Sequence, residues 1–174
     1  GLLWVRPGVT LKANIFGGGQ ELGLRSGTEN VAGVVGFATA LELAQKRRSA
    51  EVKRLRKLRE ELVKDLRQAF PEMLISSDMK KSLVSFLNIS FSGIDAERLV
   101  FLLESRGVLV ATGSACAANS GTRSHVLASV GLSESEIDGS LRLTLGRLNN
   151  DENIKRAGKF IIEAVQAEMK RTRR

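Results

Sequence analysis

Apolar residues recur at three- and four-residue intervals through Val31, Val34, Val35, Ala38 and Leu41, and again through Leu55, Leu58, Leu62 and Leu66 as far as Phe70. That spacing sets one apolar stripe along a helix, and its length of about forty residues exceeds an ordinary globular helix. Between Lys46 and Ser49 the spacing fails and charge crowds in. A kink or short break is therefore predicted there, with a junction that separates residues 1–46 from residues 47–174.

The chain opens on Gly1-Leu2-Leu3-Trp4-Val5-Arg6-Pro7-Gly8, without a methionine. This reads as a buried strand already under way and closed by a Pro-Gly turn, as in a fragment. After Pro71 the texture changes. Met73–Ser76, Leu83–Ser90, Val108–Ala111 and Leu141–Leu145 read as strands, the first two well covered on both faces. Helices are expected from Asp95 to Ser105, closed by Gly107, and from Arg123 to Val130, ended by Gly131. Ser133-Glu134-Ser135-Glu136 fits a capping box, and Asp151 is expected to cap the last helix. This order suggests an α/β or α+β sandwich with helices packed on a small sheet.

With 174 residues the chain can bury a real core, and its single cysteine allows no intrachain disulfide. No opening run resembles a signal peptide, and no apolar stretch approaches the ~20 residues of a membrane span, which points to a reducing cytoplasm. Lys and Arg number 27 against 19 acids, a net charge of +8. Much of the excess lies between Gln45 and Arg67 and in the Lys170–Arg174 tail, interleaved with leucines rather than aromatics. It reads as a solvated helix face and not as a nucleic-acid site, because no stacking residues accompany it.

Three segments carry candidate chemistry. Cys116 lies in Ala111-Thr112-Gly113-Ser114-Ala115-Cys116-Ala117-Ala118-Asn119-Ser120-Gly121, where small side chains cannot wall in a sulfur. It is either an accessible working thiol in a mobile loop or a small hydrophobe in an ordinary turn. Gly17-Gly18-Gly19-Gln20-Glu21-Leu22-Gly23-Leu24-Arg25-Ser26-Gly27-Thr28-Glu29-Asn30 places glycines and the donors of Arg25, Ser26 and Thr28 before a helix. The segment suits a phosphate, and it equally suits a plain turn capped by Thr28 or Asn30. In Ser140-Leu141-Arg142-Leu143-Thr144-Leu145-Gly146-Arg147, strand alternation sends Arg142 and Thr144 to one face and the leucines to the other. Such an arginine serves a structural ion pair or grips a ligand carboxylate in a bidentate fork. His125, the lone histidine, reads as a structural residue at a helix start.

In this order and spacing, the three segments and Ser124-His125-Val126-Leu127 resemble the pyridoxal-phosphate-dependent cysteine desulfurases, of the class V aminotransferase-like group. The cysteine loop is similar to that of the iron–sulfur-assembly branch, and the resemblance runs from Gly1 to about Ile162. It implies a PLP-dependent transferase fold, with 1–46 the end of the large cofactor-binding domain and 47–174 the small domain that carries the cysteine loop. It implies that Cys116 takes sulfur from cofactor-bound L-cysteine and holds it as a persulfide, with alanine released. Arg142 then grips the substrate α-carboxylate, and Thr28 contacts the cofactor phosphate of the neighbouring subunit in a homodimer. A sulfur-acceptor or iron–sulfur scaffold protein is the implied partner, with Cys116 as a shared cluster ligand. No nucleic acid or membrane is implied.

The sequence also departs from that pattern. The lysine, ring-stacking histidine and pyridine-facing aspartate of the family belong to a segment upstream of Gly1, so the chain alone is expected to be inactive. Phe16 stands where relatives often have histidine, and Ala117 and Ala118 where they often have serine. The alternative to a desulfurase portion is a cofactor-free sulfur-carrier or protein-docking module.

Overall fold

A computed structural model describes residues 1–113 and 123–172. The chain forms two compact units, Gly1–Ser49 and Ala50–Arg174. The first holds a 3-10 turn at Glu21–Gly23, an isolated bridge between Ile15 and Arg25, and the start of helix α1 (Val31–Ala69). Asn30 begins that helix. Its Oδ1 accepts from the Gly33 N–H at 2.9 Å while its carbonyl accepts from the Val34 N–H, the geometry of an N-cap.

Two expectations are corrected here. Gly1–Arg6 forms no strand, and Leu2, Leu3 and Trp4 are exposed. A strand is held by ladder bonds to a neighbour, and the described residues of this unit present it no sheet edge. The turn at Pro7-Gly8 does form, with the Val9 N–H donating to the Arg6 carbonyl at 3.2 Å. Helix α1 also does not break at Lys46–Ser49 but continues for 39 residues. That stretch has no proline or glycine, and Glu42–Lys46 and Glu51–Arg54 ion pairs of 2.7 Å run along the helix around it. Apolar spacing records what a helix packs against, not whether its backbone stays helical.

In the Ala50–Arg174 unit, α1 stops before Pro71, whose ring disfavours helical backbone at Phe70. There follow β1 (Leu74–Ile75), β2 (Phe86–Ser90), α2 (Ala96–Glu104), β3 (Ala111–Thr112), α3 (His125–Ser129), α4 (Glu134–Asp138), β4 (Ser140–Thr144) and α5 (Asp151–Thr172). The strands form one antiparallel sheet in the order β1-β2-β4-β3. Asp95 caps α2, accepting from the Glu97 and Arg98 N–H groups, and Gly107 ends the helical turn after it at φ 75°. The Ser133–Glu136 capping box forms as read from the sequence. The cap of α5 is Asn150, not Asp151: Asn150 and Asn153 exchange backbone-to-side-chain bonds of 2.9 Å, and Asp151 pairs with Lys57 instead.

Leu87 and Ile89 of β2 join Leu141 and Leu143 of β4 in one core with Leu58, Leu62 and Leu66 of α1, Leu99 and Leu103 of α2, and Ile161 and Val165 of α5. Each such side chain contributes about 1.5–3 kcal/mol by leaving water. Helices α1 and α5 approach closely where Gly158 faces Leu62, since a Cβ there would stand 3.1 Å from its Cδ1. The coverage expected for β1 and β2 is only partial. Leu74 and Phe86 are exposed, and Asn88 is half-buried.

Arg59, buried in α1, grips the segment before β2. It donates to the Met79 carbonyl at 2.7 Å, to Ser82 Oγ at 3.1 Å and to the Leu83 carbonyl at 3.2 Å. Burial pulls its guanidinium below the usual arginine value, and the nearby charge of Arg56 adds to this. Glu168 ties α2 to α5 through Arg98 and also holds Arg171.

At Gly139, between α4 and β4, a Cβ would meet the backbone carbonyl of Phe91 at 2.0 Å. Gly139→Ala forces the α4–β4 turn away from Phe91 and is expected to cost about 2–3 kcal/mol, the scale of an overpacked site. Urea denaturation of the chain checks this, and a midpoint unchanged from the parent contradicts it.

Candidate functional site

The alternation predicted for β4 is realised. Leu141 and Leu143 are buried, while Arg142 and Thr144 are exposed on the other face. Arg142 faces Asn88 across β2 and Ala111 across β3. Arg54, Arg98, Arg106 and Arg123 each hold a carboxylate, whereas Arg142, like Arg56, Arg67, Arg147 and Arg156, meets none among the described residues. Of the two readings of this residue, the internal ion pair is therefore absent among the described residues. A guanidinium fork that the fold leaves open suits a carboxylate arriving from outside.

Cys116 lies outside the described residues, but the segments that flank it do not. Upstream, Ala111 and Thr112 are bound into the sheet beside Arg142 and Leu141. Downstream, Arg123 forms a bidentate pair with Asp138, Nε to Oδ1 at 2.8 Å and Nη2 to Oδ2 at 2.9 Å, and reaches Glu134 at 3.0 Å. Ser124 then caps α3 with its hydroxyl accepting from the Leu127 N–H. Both anchors thus belong to the sheet and to the helices on its rim. His125 is exposed at the start of α3. Among the described residues no group of three or more His, Cys, Asp or Glu side chains is placed to hold a metal.

Thr28 belongs to the Gly1–Ser49 unit. Asn30, not Thr28, is the helix cap, so the Thr28 hydroxyl is left without a hydrogen bond among the described residues. It lines a cavity of about 550 Å³ with Arg25, Gly27, Asn30, Glu21 and Glu29. Arg25 donates one N–H to the adjacent Ser26 carbonyl at 2.7 Å and keeps the others. The Thr28 and Arg25 donors beside a helix start suit an oxyanion. No lysine side chain lines the cavity.

Two features escaped the reading of the sequence. Asn88, between the apolar Leu87 and Ile89 of β2, accepts a hydrogen bond from Ser76 Oγ at 2.6 Å, and the strand alternation that flagged Arg142 could have flagged it too. The Arg123–Asp138 clamp joins positions fifteen residues apart with no local signal. The charge between Gln45 and Arg67 is largely helix surface, and part of it is paired within the helix and with Asp151. Among the described residues no helix is long and apolar enough to cross a membrane.

Residues 9–157 match the family model for aminotransferase class-V. The chain belongs to that family. It is 44% identical over 156 residues to cysteine desulfurase IscS 1 of Archaeoglobus fulgidus, covering 90% of this chain and 41% of the relative. It is 39% identical over 175 residues to cysteine desulfurase IscS of Clostridium botulinum, covering 99% of this chain and 43% of the relative. Among solved structures, a NifS-like protein superposes with a TM-score of 0.79 at 35% identity, over 94% of this chain and 41% of the other. A NifS-like protein from Rickettsia africae gives a TM-score of 0.72 at 29% identity, over 93% and 41%. The family and fold read from the three motifs are thus borne out. The chain spans about two fifths of the length of the curated relatives it matches.

The Arg123 hydrogen bond holds the Asp138 carboxyl below its ordinary value of 3.8. A carboxylate lowered in the folded state stabilises it above the unfolded pKa and loses that contribution as pH falls through the folded one. Asp138→Asn is therefore expected to lower Tm modestly at pH 7, both partners being half-exposed. The difference from the parent should narrow as the pH is taken below 3.8. Thermal unfolding followed by circular dichroism checks this, and a gap of constant size down to acid pH contradicts it.

Proposed function

We propose that this chain is the cysteine-loop portion of a cytoplasmic, homodimeric cysteine desulfurase that uses pyridoxal phosphate. The observation that carries the reading is Arg142. Its guanidinium is unpaired among the described residues, on the exposed face of β4, and it lies beside β3, whose end leads into the Cys116 loop. A carboxylate-gripping arginine and a thiol a few residues from its neighbouring strand are what a reaction on a free amino acid thiol requires. In this reading residues 1–46 end the large domain, and 47–174 form the small one.

Each residue then has a defined task. Arg142 takes the α-carboxylate of L-cysteine in a two-point contact and fixes the substrate's orientation. The Cys116 thiol receives the substrate sulfur. The carbon–sulfur bond of L-cysteine breaks, a sulfur–sulfur bond forms at Cys116 Sγ, and protons complete the methyl group of alanine. L-cysteine plus thiol thus balances alanine plus persulfide, with no outside oxidant. Pyridoxal phosphate, when bound, supplies the electron withdrawal that weakens the carbon–sulfur bond. Thr28 and Arg25 suit its phosphate, and Thr28 is assigned to the cofactor of a second copy. The many exposed apolar residues of the Gly1–Ser49 unit, Leu2, Leu3, Trp4 and Leu22 among them, support further protein packing on it. The persulfide passes to an acceptor or iron–sulfur scaffold protein, where Cys116 also serves as a shared cluster ligand.

Two assays test this reading. The 174-residue chain alone, given pyridoxal phosphate and L-cysteine, is expected to release no sulfide catalytically, because the lysine that the resemblance assigns to the cofactor is not among these residues. Sustained turnover by it overturns the assignment. In the protein expressed from its complete reading frame, Cys116→Ala is expected to abolish alanine formation. Arg142→Ala should lower kcat/KM about 100-fold, the scale of losing one partner of a hydrogen-bonded charge pair. Unchanged kcat/KM in either variant rejects the role given to that residue.

A further inference from the structure

On the exposed face of the sheet, Asn88 of β2 and Arg142 of β4 stand side by side, flanked by Ser76 just after β1 and by Ala111 of β3. Ile75 of β1 pairs with Ile89, and the next step of that ladder brings the Ser76 N–H to the Asn88 carbonyl at 3.3 Å. Asn88 lies opposite Arg142, and Arg142 lies opposite Ala111. Residues directly opposite on one face of an antiparallel pair hold their Cβ atoms about 4.5–5.5 Å apart. The amide of Asn88 and the guanidinium of Arg142 are thus neighbours on the same face, with only the small Ala111 on the other flank.

The orientation of that amide is fixed. Ser76 Oγ donates to Asn88 Oδ1 at 2.6 Å, which occupies the acceptor end. The donor end, Nδ2, makes no hydrogen bond among the described residues, and it is not among their buried, unpartnered atoms, of which Arg59 Nε is the only one. A half-buried asparagine in a strand commonly spends its donors on backbone or side-chain acceptors. Here both N–H donors stay open, among the described residues, beside an arginine that is unpaired among them.

We propose that Asn88 is a second donor to the ligand carboxylate held by Arg142, oriented for that task by Ser76. The inference rests on the carboxylate role given to Arg142 above. A guanidinium fork saturates two lone pairs of a carboxylate, and an amide N–H from the next strand takes one of those remaining. The pair discriminates in favour of amino acids over amines that lack the carboxylate. Asn88 touches the substrate and not the reacting sulfur, so it acts in binding and specificity.

The test compares the affinities of L-alanine and of ethylamine, the same amine without a carboxylate. They are read from cofactor absorbance in the protein expressed from its complete reading frame and loaded with pyridoxal phosphate. Asn88→Ala is expected to lower the L-alanine to ethylamine affinity ratio about 10-fold, the scale of one hydrogen bond to a charged group. Asn88→Asp keeps the shape and the Ser76 partner but replaces the donor by a carboxylate, and should lower the ratio further. A purely structural Asn88 would weaken both ligands equally, and a ratio unchanged in both variants overturns the proposal. If Arg142→Ala collapses the ratio while the Asn88 variants leave it intact, Asn88 alone is rejected. If Arg142→Ala leaves it intact, the carboxylate reading of the site falls, and the Asn88 role falls with it.

Discussion

The pairing of β2 with β4 governs this unit, because the two strands bury one face and must leave the other to polar chemistry. Leu87, Ile89, Leu141 and Leu143 occupy the core beneath α1, α2 and α5. A slip of one residue would exchange them for Asn88 and Arg142. That exchange would bring a guanidinium into the core at a cost of several kcal/mol, while the leucines would lose about 1.5–3 kcal/mol each. The register is therefore strongly determined, and it places Arg142 between Asn88 and Ala111.

Arginines elsewhere in the unit show how different a structural guanidinium looks. Arg59 is fully enclosed and spends its donors on carbonyls and Ser82, so it tethers the segment leading into β2. Arg54 reaches the Gly146 carbonyl at 3.1 Å and also bonds the Asn149 carbonyl, which holds the turn after β4 against α1. Arg123 closes the chain onto α4 through Asp138. Each spends donors within its own fold, although Arg59 Nε stays buried without a partner among the described residues. Arg142 makes no such internal bond among the described residues, and unlike the equally unpaired Arg56, Arg67, Arg147 and Arg156 it stands within the sheet, between Asn88 and Ala111, which is the placement the proposed carboxylate role rests on.

Much of the fold is legible in the chain because its signals are local. The glycine after α2, the Ser133–Glu136 box and the alternation around Arg142 each depend on a few adjacent residues and appear as read. The errors arise where the deciding contact is distant. The continuity of α1 through Lys46–Ser49 was obscured because apolar spacing lapses where packing changes, while the helical backbone is sustained by its own hydrogen bonds and ion pairs. Gly1–Arg6 has the composition of a buried strand, but composition supplies no partner. Asp151 and Asn150 are both competent caps, and Lys57, ninety-four residues from Asp151, draws Asp151 into an ion pair while Asn150 caps with Asn153.

The sequence by itself determined the family, through three motifs in register, and the facing of Arg142, because side-chain direction in a strand has a period of two whatever the strand pairs with. It also determined that a lone cysteine sits among small residues. Only the tertiary structure decided that Arg142 has no carboxylate among the described residues, that Asn88 and Ala111 are its neighbours, and that Asn30 takes the capping role and leaves the Thr28 hydroxyl open. Such facts depend on which distant segments meet. Strand register and the competition for hydrogen-bond partners are settled when the core closes, and no local pattern encodes their outcome.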